Sequence, residues 1–421
     1  MNIYSPGKVF PLVMASKPAT TLKGHKKACN GKKKFFKRGK SLLGPLPDLS
    51  FGPKALTRQD FARDYVLDPE NQTLKWSRPP ENILIIKKND AAIIPAFIAL
   101  ANWLINDKSL NIFVEEAVLK EKLLKVNEDL KENYTKLKKY EHSNSTKNGC
   151  DTIDLIITIG GDGTLLYAAS LFQSSMPPVI AFHCGSLGFL TVHELTSYKE
   201  TISNVFLGNA GLMLRSRLRC MIQRKGEIED VIHKSPSYNG IVDLTDINIK
   251  GNGESCHPSF LVLNEVVVNR GQSQFICNID LYLEGRRITS VQGDGLIIST
   301  PTGSTGYAVA AGASMVHPNV PAIMVTPICP HSLSFRPIIV PPGAELKFAL
   351  SENARGPASV SFDGKGTTEI FPGDYVTIRT SVHPAPCVCK NNPFDDWFDS
   401  LSRCLHWNSR QSQKQLDPIP D

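Results

Sequence analysis

The stretch LIITIGGDGTLLYAASLF, residues 155–172, constrains the fold more than any other part of the chain. An apolar run with the pattern of a strand ends in a loop of three glycines around one carboxylate, and a helical pattern starts at once. A strand feeding a glycine loop and a helix N-terminus presents free backbone amides and the positive end of the helix dipole, which together suit a phosphate or diphosphate. Gly160, Gly161 and Gly163 permit close backbone approach to an anion, with Thr164 beside them. Asp162 is the odd member, because a carboxylate there repels phosphate unless it meets a metal ion or a hydroxyl. It is a candidate general base, with the plainer alternative of a helix cap of the kind worth roughly 1 kcal/mol. The loop is neither the G-x-G-x-x-G of dinucleotide folds nor a P-loop, since no lysine follows the last glycine.

Around this motif the pattern alternates. NILIIKK and NIFVEE read as strands, and AAIIPAFIALANWLIN reads as a helix despite Pro95, as in a parallel α/β sheet. Leu119, Leu123, Val126, Leu130 and Leu137 mark an amphipathic surface helix. From about residue 212 the runs become period-two or continuous β segments separated by turns, which predicts an all-β second domain. DDWFDSLSRCLHW closes the chain as an amphipathic helix able to pack back on the first domain. The expected organisation is a basic tail over 1–78, an α/β domain over 79–211 completed by 381–409, a β-rich domain over 212–380, and a flexible end at 410–421. A polar stretch from His233 to His257 reads as a long exposed loop.

Two further constellations carry chemistry. In VLNEVVVNRG, Asn264 and Glu265 interrupt an apolar strand, and such a pair must find partners or sit on a site. An amide donates and accepts at once, while a carboxylate takes ribose hydroxyls or an exocyclic amine. QGDGLIISTPTGSTGYAVAAGAS then places Asp294 between two glycines, and crowds hydroxyls, Thr302 and Thr305 among them, at the start of a helix of small residues. Tyr307 can stack there on a flat ring. Capping chemistry alone also uses threonine and glycine in such places.

Gly160 to Thr164 resembles the signature shared by NAD kinases, diacylglycerol and sphingosine kinases and, more remotely, phosphofructokinases. With the Asn-Glu pair, the Thr-rich helix start, HCGSLGFLT, HPNVPAIMVTPICPHSLSFRPIIVP and VSFDGK, the chain resembles the NAD kinase family from about residue 66 to 409, nearest to the animal cytosolic type. The resemblance implies a Rossmann-like or phosphofructokinase-like α/β domain followed by an all-β, sandwich-like C-terminal domain, with the substrate between them. It implies ATP and Mg²⁺, phosphorylation of the adenosine-ribose 2′-hydroxyl of NAD to give NADP, and a homotetramer or homodimer. Residue by residue, it implies Asp162 as the catalytic base, and Gly163 beside it on NAD. It implies Asn264, Glu265 and Asp294 on the dinucleotide, and Thr305, Gly306, Tyr307, Ala308, Val309 and Ala310 on adenosine. Cys329 and Lys365 fall where more variable contacts lie. The family usually has alanine where Gly306 stands, so the helix start is looser here. His331, Arg336 and Lys365 are cations able to meet a phosphate, or plain surface charges. Two rivals share part of the pattern: a lipid kinase would lack the Asn-Glu pair, and a non-catalytic NAD(H) sensor would not need Asp162.

Composition narrows the setting. No apolar run approaches the roughly 20 residues of a membrane span. The stretch before Asp48 has 11 of the 47 Lys and Arg residues and no acidic one, leaving 36 basic against 40 acidic residues elsewhere, so the net charge of +7 belongs to the tail. No aromatic platform accompanies it, which disfavours nucleic acid. A presequence would favour arginine, and ten of those eleven are lysine, so a cytoplasmic protein is expected, with mitochondrion as the alternative. Ser41 behind the basic cluster is a candidate phosphorylation site. The ten cysteines contain no C-x-x-C, which excludes the common zinc spacings and fits reduced core thiols.

Overall fold

The computed structural model describes residues 65–67, 73–76, 78–121, 124, 127–128, 130–141, 153–185, 187–225 and 259–408. Ser41, the remaining basic tail, the His233–His257 stretch and residues 410–421 lie outside the described residues. The first sheet has a parallel centre of β3 (Asn82–Lys87), β4 (Asn111–Val114), β5 (Lys138–Lys139), β6 (Leu155–Gly160) and β7 (Val179–His183), in the spatial order β7-β6-β3-β4-β5. β8 (His193–Glu194) pairs with the end of β7. Beyond β7 come β22 (Ala385–Val388), β9 (Ala210–Arg215), β2 (Thr73–Trp76) and β1 (Tyr65–Leu67).

Alternation along β3 shows why helices cover both faces. Ile83 and Ile85 pack with Phe97, Ala101 and Leu104 of the helix Ile94–Asn106. Leu84 and Ile86 face the other way, onto Leu165 and Ala168 of the helix Asp162–Ser170. Successive strand side chains point to opposite faces, so a strand buried on both sides must be apolar throughout. Pro95 sits in the first turn of its helix, where the missing N–H costs nothing.

The second domain is a sandwich of two antiparallel six-stranded sheets. One contains β10 (Leu218–Gln223), β11 (Ser259–Val262), β13 (Cys277–Leu283), β14 (Arg286–Gly293), β18 (Leu346–Leu350) and β21 (Tyr375–Thr380). The other contains β12 (Glu265–Asn269), β15 (Gly295–Ser299), β16 (Ile323–Ile328), β17 (Ile338–Val340), β19 (Ala358–Phe362) and β20 (Lys365–Ile370). Ile279 and Phe348 from the first meet Val266, Leu296 and Val360 from the second in one core, the face-to-face packing expected of alternating strands.

Three expectations change. Tyr65–Leu67 and Thr73–Trp76, assigned to the basic tail, pair as a hairpin that extends the first sheet. Leu74 is fully buried and the Trp76 indole donates to Val205 O at 2.7 Å, contacts far along the chain that local composition does not reveal. Among the described residues the amphipathic stretch over 119–137 is not one helix: a short helix Glu116–Lys120 ends where Glu121 turns extended, and another covers Lys131–Tyr134, while Leu123 and Val126 lie outside the described residues. β9 stays in the first sheet to Arg215, past the expected boundary at 211.

The closing helix Pro393–Leu405 packs against β9. Its start is fixed by the Asn392 side chain, which accepts from the amides of Phe394 and Asp395, with proline at the first position. His317, from the loop after the small-residue turn, stacks on Phe394 with ring centroids 4.8 Å apart and meets the edge of Trp397.

Candidate active site

The glycine loop lies at the switch point of the first sheet. From β3 the chain continues outward to β4, and from the adjacent β6 it continues the opposite way to β7, which opens a crevice at the carboxyl ends of β3 and β6. Lys88 N bonds Ile159 O at 2.8 Å and Cys184 N bonds Gly160 O at 3.2 Å, tying the three strand ends together. A Cβ on Gly160 would lie 2.2 Å from Thr164 Oγ1, so only glycine lets the first helical turn close over the strand end. A Cβ on Gly161 or Gly163 would meet nothing within 4 Å, and both glycines border a cleft of about 890 Å³, shared with Lys87, Lys88, Thr164 and Tyr167. The first amides of a helix have no partner within it.

Asp162 does not cap this helix: the cap position is Gly161, and no side chain caps there. Its half-buried carboxylate reaches across to the HCGSLGFLT segment instead. Oδ2 accepts from Phe189 N at 2.8 Å, while Oδ1 accepts from Leu190 N, Thr191 N and Thr191 Oγ1 at 3.0, 3.1 and 3.1 Å. A carboxylate has about four lone-pair directions, so Oδ1 is saturated and Oδ2 keeps one open. Gly188 is required by this contact, since a Cβ there would fall 2.1 Å from Asp162 Oδ1.

The second and third motifs interlock. Asn264 precedes β12, which starts at Glu265, so the pair stands at a strand entry and not inside a strand. Asp363 fixes this entry: its buried carboxylate accepts from Leu263 N (2.7 Å), Asn264 N (2.7 Å) and Glu265 N (3.1 Å). Asp363 and Gly364 both have positive φ, 49° and 68°, the geometry of a tight Asp-Gly hairpin turn joining β19 to β20. Thr300 N bonds Asn264 O at 2.9 Å, and a Cβ on Gly303 would collide with that same oxygen. A Cβ on Gly306 would stand 3.2 Å from Glu265 Oε2 and 3.4 Å from Asn264 Nδ2. Asn264 Oδ1 and Glu265 Oε2 are buried without a partner, which is unusual for buried polar atoms. Burial, reinforced by the Asp363 charge, pushes the Glu265 carboxyl up to about 7.

The expected helix of small residues is shorter than its composition implies: a 3₁₀ turn Thr302–Thr305 and one α turn Tyr307–Ala310. Its hydroxyls serve the turn, since Thr305 Oγ1 bonds Thr302 O at 3.1 Å and Ser304 Oγ accepts from Val316 N at 2.8 Å. Tyr307 is exposed, Ala308 buried, Val309 half-buried and Ala310 exposed.

Packing joins the first motif to the other two. Leu263, at the entry to β12, lies in the same core as Leu165 and Ala168 of the glycine-loop helix. Lys365 Nζ sits 4.4 Å from the centre of the Tyr167 ring, and Tyr167 donates its hydroxyl to Glu115. Burial lowers the Lys365 ammonium, and burial with Glu115 pushes the Tyr167 phenol up to about 12. Asp294 and Cys329 stand at the other end of the β12–β15–β16 ladder, about 13 Å along it from Glu265. There Asp294 pairs with Arg270 at 3.0 Å.

Sequence reasoning missed three residues. Asp363 was visible only as part of VSFDGK. Arg215 is buried and reaches Thr302 Oγ1 at 3.4 Å. Arg217, fully buried, donates to the carbonyls of Phe172, Ser174 and His383 at 2.6 Å each, holding the C-terminal end of the glycine-loop helix where the dipole is negative. Burial lowers its guanidinium to about 9. No local pattern marks either arginine, because their partners are distant in sequence.

A doubly wound sheet with an anion-receptive glycine loop at its switch point, sharing a core with a β-sandwich that buries an Asn-Glu pair, defines a two-domain nucleotide-binding protein. The profile of the ATP-NAD kinase N-terminal domain matches residues 83–210, and that of the ATP-NAD kinase C-terminal domain matches 263–389. The chain belongs to the ATP-NAD kinase family. It is 40% identical to a putative NAD kinase 3 of Oryza sativa subsp. japonica, over 82% of this chain and 65% of that one. It is 36% identical to an uncharacterized kinase of Schizosaccharomyces pombe, over 84% of this chain and 88% of that one. The crystal structure of a yeast NADH kinase complexed with NADH superposes with a TM-score of 0.70 at 28% identity, over 84% of this chain and 96% of that one. The chain spans 32% of one rice relative, a probable chloroplastic NAD kinase 2, and 65% of the putative NAD kinase 3.

Proposed function

We propose that the chain transfers the γ-phosphoryl group of ATP to the 2′-hydroxyl of the adenosine ribose of NAD or NADH, giving ADP and NADP or NADPH. The observation that carries this reading is the pair of buried, partnerless acceptors, Asn264 Oδ1 and Glu265 Oε2, packed against the Thr302–Gly306 turn and next in the chain to Leu263, which shares a core with the glycine-loop helix. Ribose hydroxyls and an exocyclic amine are the donors that two such oxygens take. Tyr307 offers an exposed ring to an adenine, and family membership supports the remaining contacts, from Thr302 to Ala310 and at Asp294, Cys329 and Lys365.

In the reaction, the open lone pair of Asp162 Oδ2 takes the proton of the 2′-hydroxyl. The 2′-oxygen bonds the γ-phosphorus, the bond from that phosphorus to the β–γ bridging oxygen breaks, and the bridging oxygen leaves with ADP. Such transfers depend mostly on positioning and charge, so Phe189, Leu190 and Thr191, by fixing the Asp162 carboxylate, set the direction of that lone pair. Among the described residues no group of three His, Cys, Asp or Glu side chains could hold a metal. Mg²⁺ fits as an ion carried on the ATP phosphates, with Glu121, whose buried Oε2 lacks a partner, as the cleft carboxylate able to hold it. When bound, it supplies neutralisation of phosphate charge.

Seven described cysteines are free, which supports a reducing, cytosolic setting. No helix among the described residues is long and apolar enough to cross a membrane. The edge strand β17 exposes Ile338 and Ile339, which supports a homo-oligomer, a tetramer or dimer.

The test is purified protein with Mg-ATP and NAD or NADH, read by an NADP-specific dehydrogenase. Absence of NADP with excess ATP overturns the proposal; labelled lipid would move it to the lipid kinases, and NAD binding without turnover would make it a sensor. Asp162→Asn is expected to lose about 10²- to 10⁴-fold in turnover. Because that change also disturbs the 189–191 segment, Thr191→Val, which removes one donor and keeps the carboxylate, is the control. An equal loss in Thr191→Val would reduce Asp162 to a loop anchor.

A further inference from the structure

The glycine loop carries no lysine of its own, yet a triphosphate needs a cation near its terminal phosphate. We propose that Lys88, delivered from the end of the neighbouring strand, is that cation. The inference rests on the ATP-dependent reading above. Lys88 follows β3 directly, and its backbone N–H is bonded to Ile159 O at 2.8 Å, so its position is locked to β6, the strand that ends in Gly160. Its Cβ lies 3.2 Å from where a Cβ of Gly160 would be, which sets the side chain against the loop at the switch point.

The other cleft cations are already committed. The Lys87 side chain is 2% exposed and pairs with Glu121 at 2.7 Å, and Lys120 pairs with Glu116 at 2.7 Å on its own helix. Lys88 is 59% exposed and has only a longer pair, 3.3 Å to Asp90 Oδ2. Asp90 meanwhile spends Oδ1 on the amide of Ala92, capping the turn that follows. Exposed pairs of this kind contribute little, so exchanging Asp90 for a multiply charged phosphate costs little and gains a stronger partner. The opposite wall is the start of the glycine-loop helix, where Gly161 and Gly163 line the same cleft and a Cβ on either would meet nothing within 4 Å, and the first amides of a helix have no partner within it. A phosphate chain between them would have amides on one side and an ammonium on the other, the arrangement that a P-loop builds within a single segment. The cleft volume of about 890 Å³ accommodates a nucleotide.

The experiment compares the full chain with Lys88→Met and Lys88→Arg. Kinetics with ATP and NAD varied separately should show kcat/KM for ATP reduced about 10²-fold in Lys88→Met, with KM for NAD within about twofold and partial recovery in Lys88→Arg. Calorimetry with Mg-ADP and with Mg-adenylyl imidodiphosphate should show the triphosphate analogue weakened about tenfold more than ADP. Melting temperatures should match, since the ammonium is exposed. Unchanged ATP kinetics, equal weakening of both nucleotides, or no triphosphate binding by the unaltered chain overturns the assignment. If the unaltered chain binds the analogue but makes no NADP, the NAD reading fails while the binding comparison still decides the role of Lys88.

Discussion

Replacing Asp363 with asparagine tests how the Asn-Glu pair is held. The carboxylate accepts three consecutive backbone amides, those of Leu263, Asn264 and Glu265, from a buried position in a hairpin turn. Asparagine has one acceptor oxygen. If that oxygen takes the Oδ1 position it keeps Asn264 and Glu265, and its NH₂ then faces the N–H of Leu263. Losing that bond and orphaning a buried amide costs about 2–3 kcal/mol. Removing the charge weakens the two surviving bonds by roughly another 1 kcal/mol. Against this, the charge no longer has to be buried, the same desolvation that raises the Asp363 carboxyl despite its three bonds, and relief of it returns about 1 kcal/mol. The net expectation is a loss of about 2–3 kcal/mol, read as a lower urea midpoint at constant m. With the strand entry loosened, KM for NAD should rise about tenfold, one such contact's worth. A loss under about 1 kcal/mol together with unchanged KM would mean that Asp363 does not hold the pair, and the account of the second motif would fall with it.

Glu265→Gln should flatten the pH dependence of stability. The folded carboxyl, near 7, binds a proton that the unfolded one has released above about 4.5, so stability falls as pH rises across that window, by at most about 1.4 kcal/mol per unit. Thermal melts of the unaltered chain from pH 4.5 to 7 should slope more steeply than those of the variant, and parallel slopes would contradict the burial of Glu265. Arg217→Met should cost about 3–5 kcal/mol, because the carbonyls of Phe172, Ser174 and His383 all lose their donor. Urea titration measures it, and a neutral effect would show that the guanidinium's own desolvation cancels those bonds.

How much of this was legible depended on distance along the chain. The glycine loop needed only its neighbours: an apolar strand before, a helix after, and no room for a side chain at Gly160. Asn264-Glu265 stood out because polar residues break an apolar run. What Asp162 touches was not legible, since its four donors come from Phe189 to Thr191 and nothing in GGDGT specifies them. Asp363 and Arg217 likewise act on segments far away, where a carboxylate or guanidinium in sequence looks like any surface charge. The segment 119–137 misled for the opposite reason, as its leucine spacing satisfied a helical period while the backbone turns extended at Glu121. At Thr302–Ala310 the composition was read correctly but the length was not, because hydroxyls that close a 3₁₀ turn also look like the start of a longer helix.

The position of β22 has a consequence for how the molecule is made. It pairs parallel with β7 on one side and antiparallel with β9 on the other, so among the described strands it alone joins the β1-β2-β9 portion of the first sheet to the rest. During synthesis the ribosome delivers β7 and β9 long before it delivers Ala385–Val388, and until then each keeps an open edge of unpaired amides and carbonyls. The whole β-sandwich is translated inside that interval. The two portions can therefore be stitched together only after the sandwich strands have been made, and a chain truncated before Ala385 would keep both open edges.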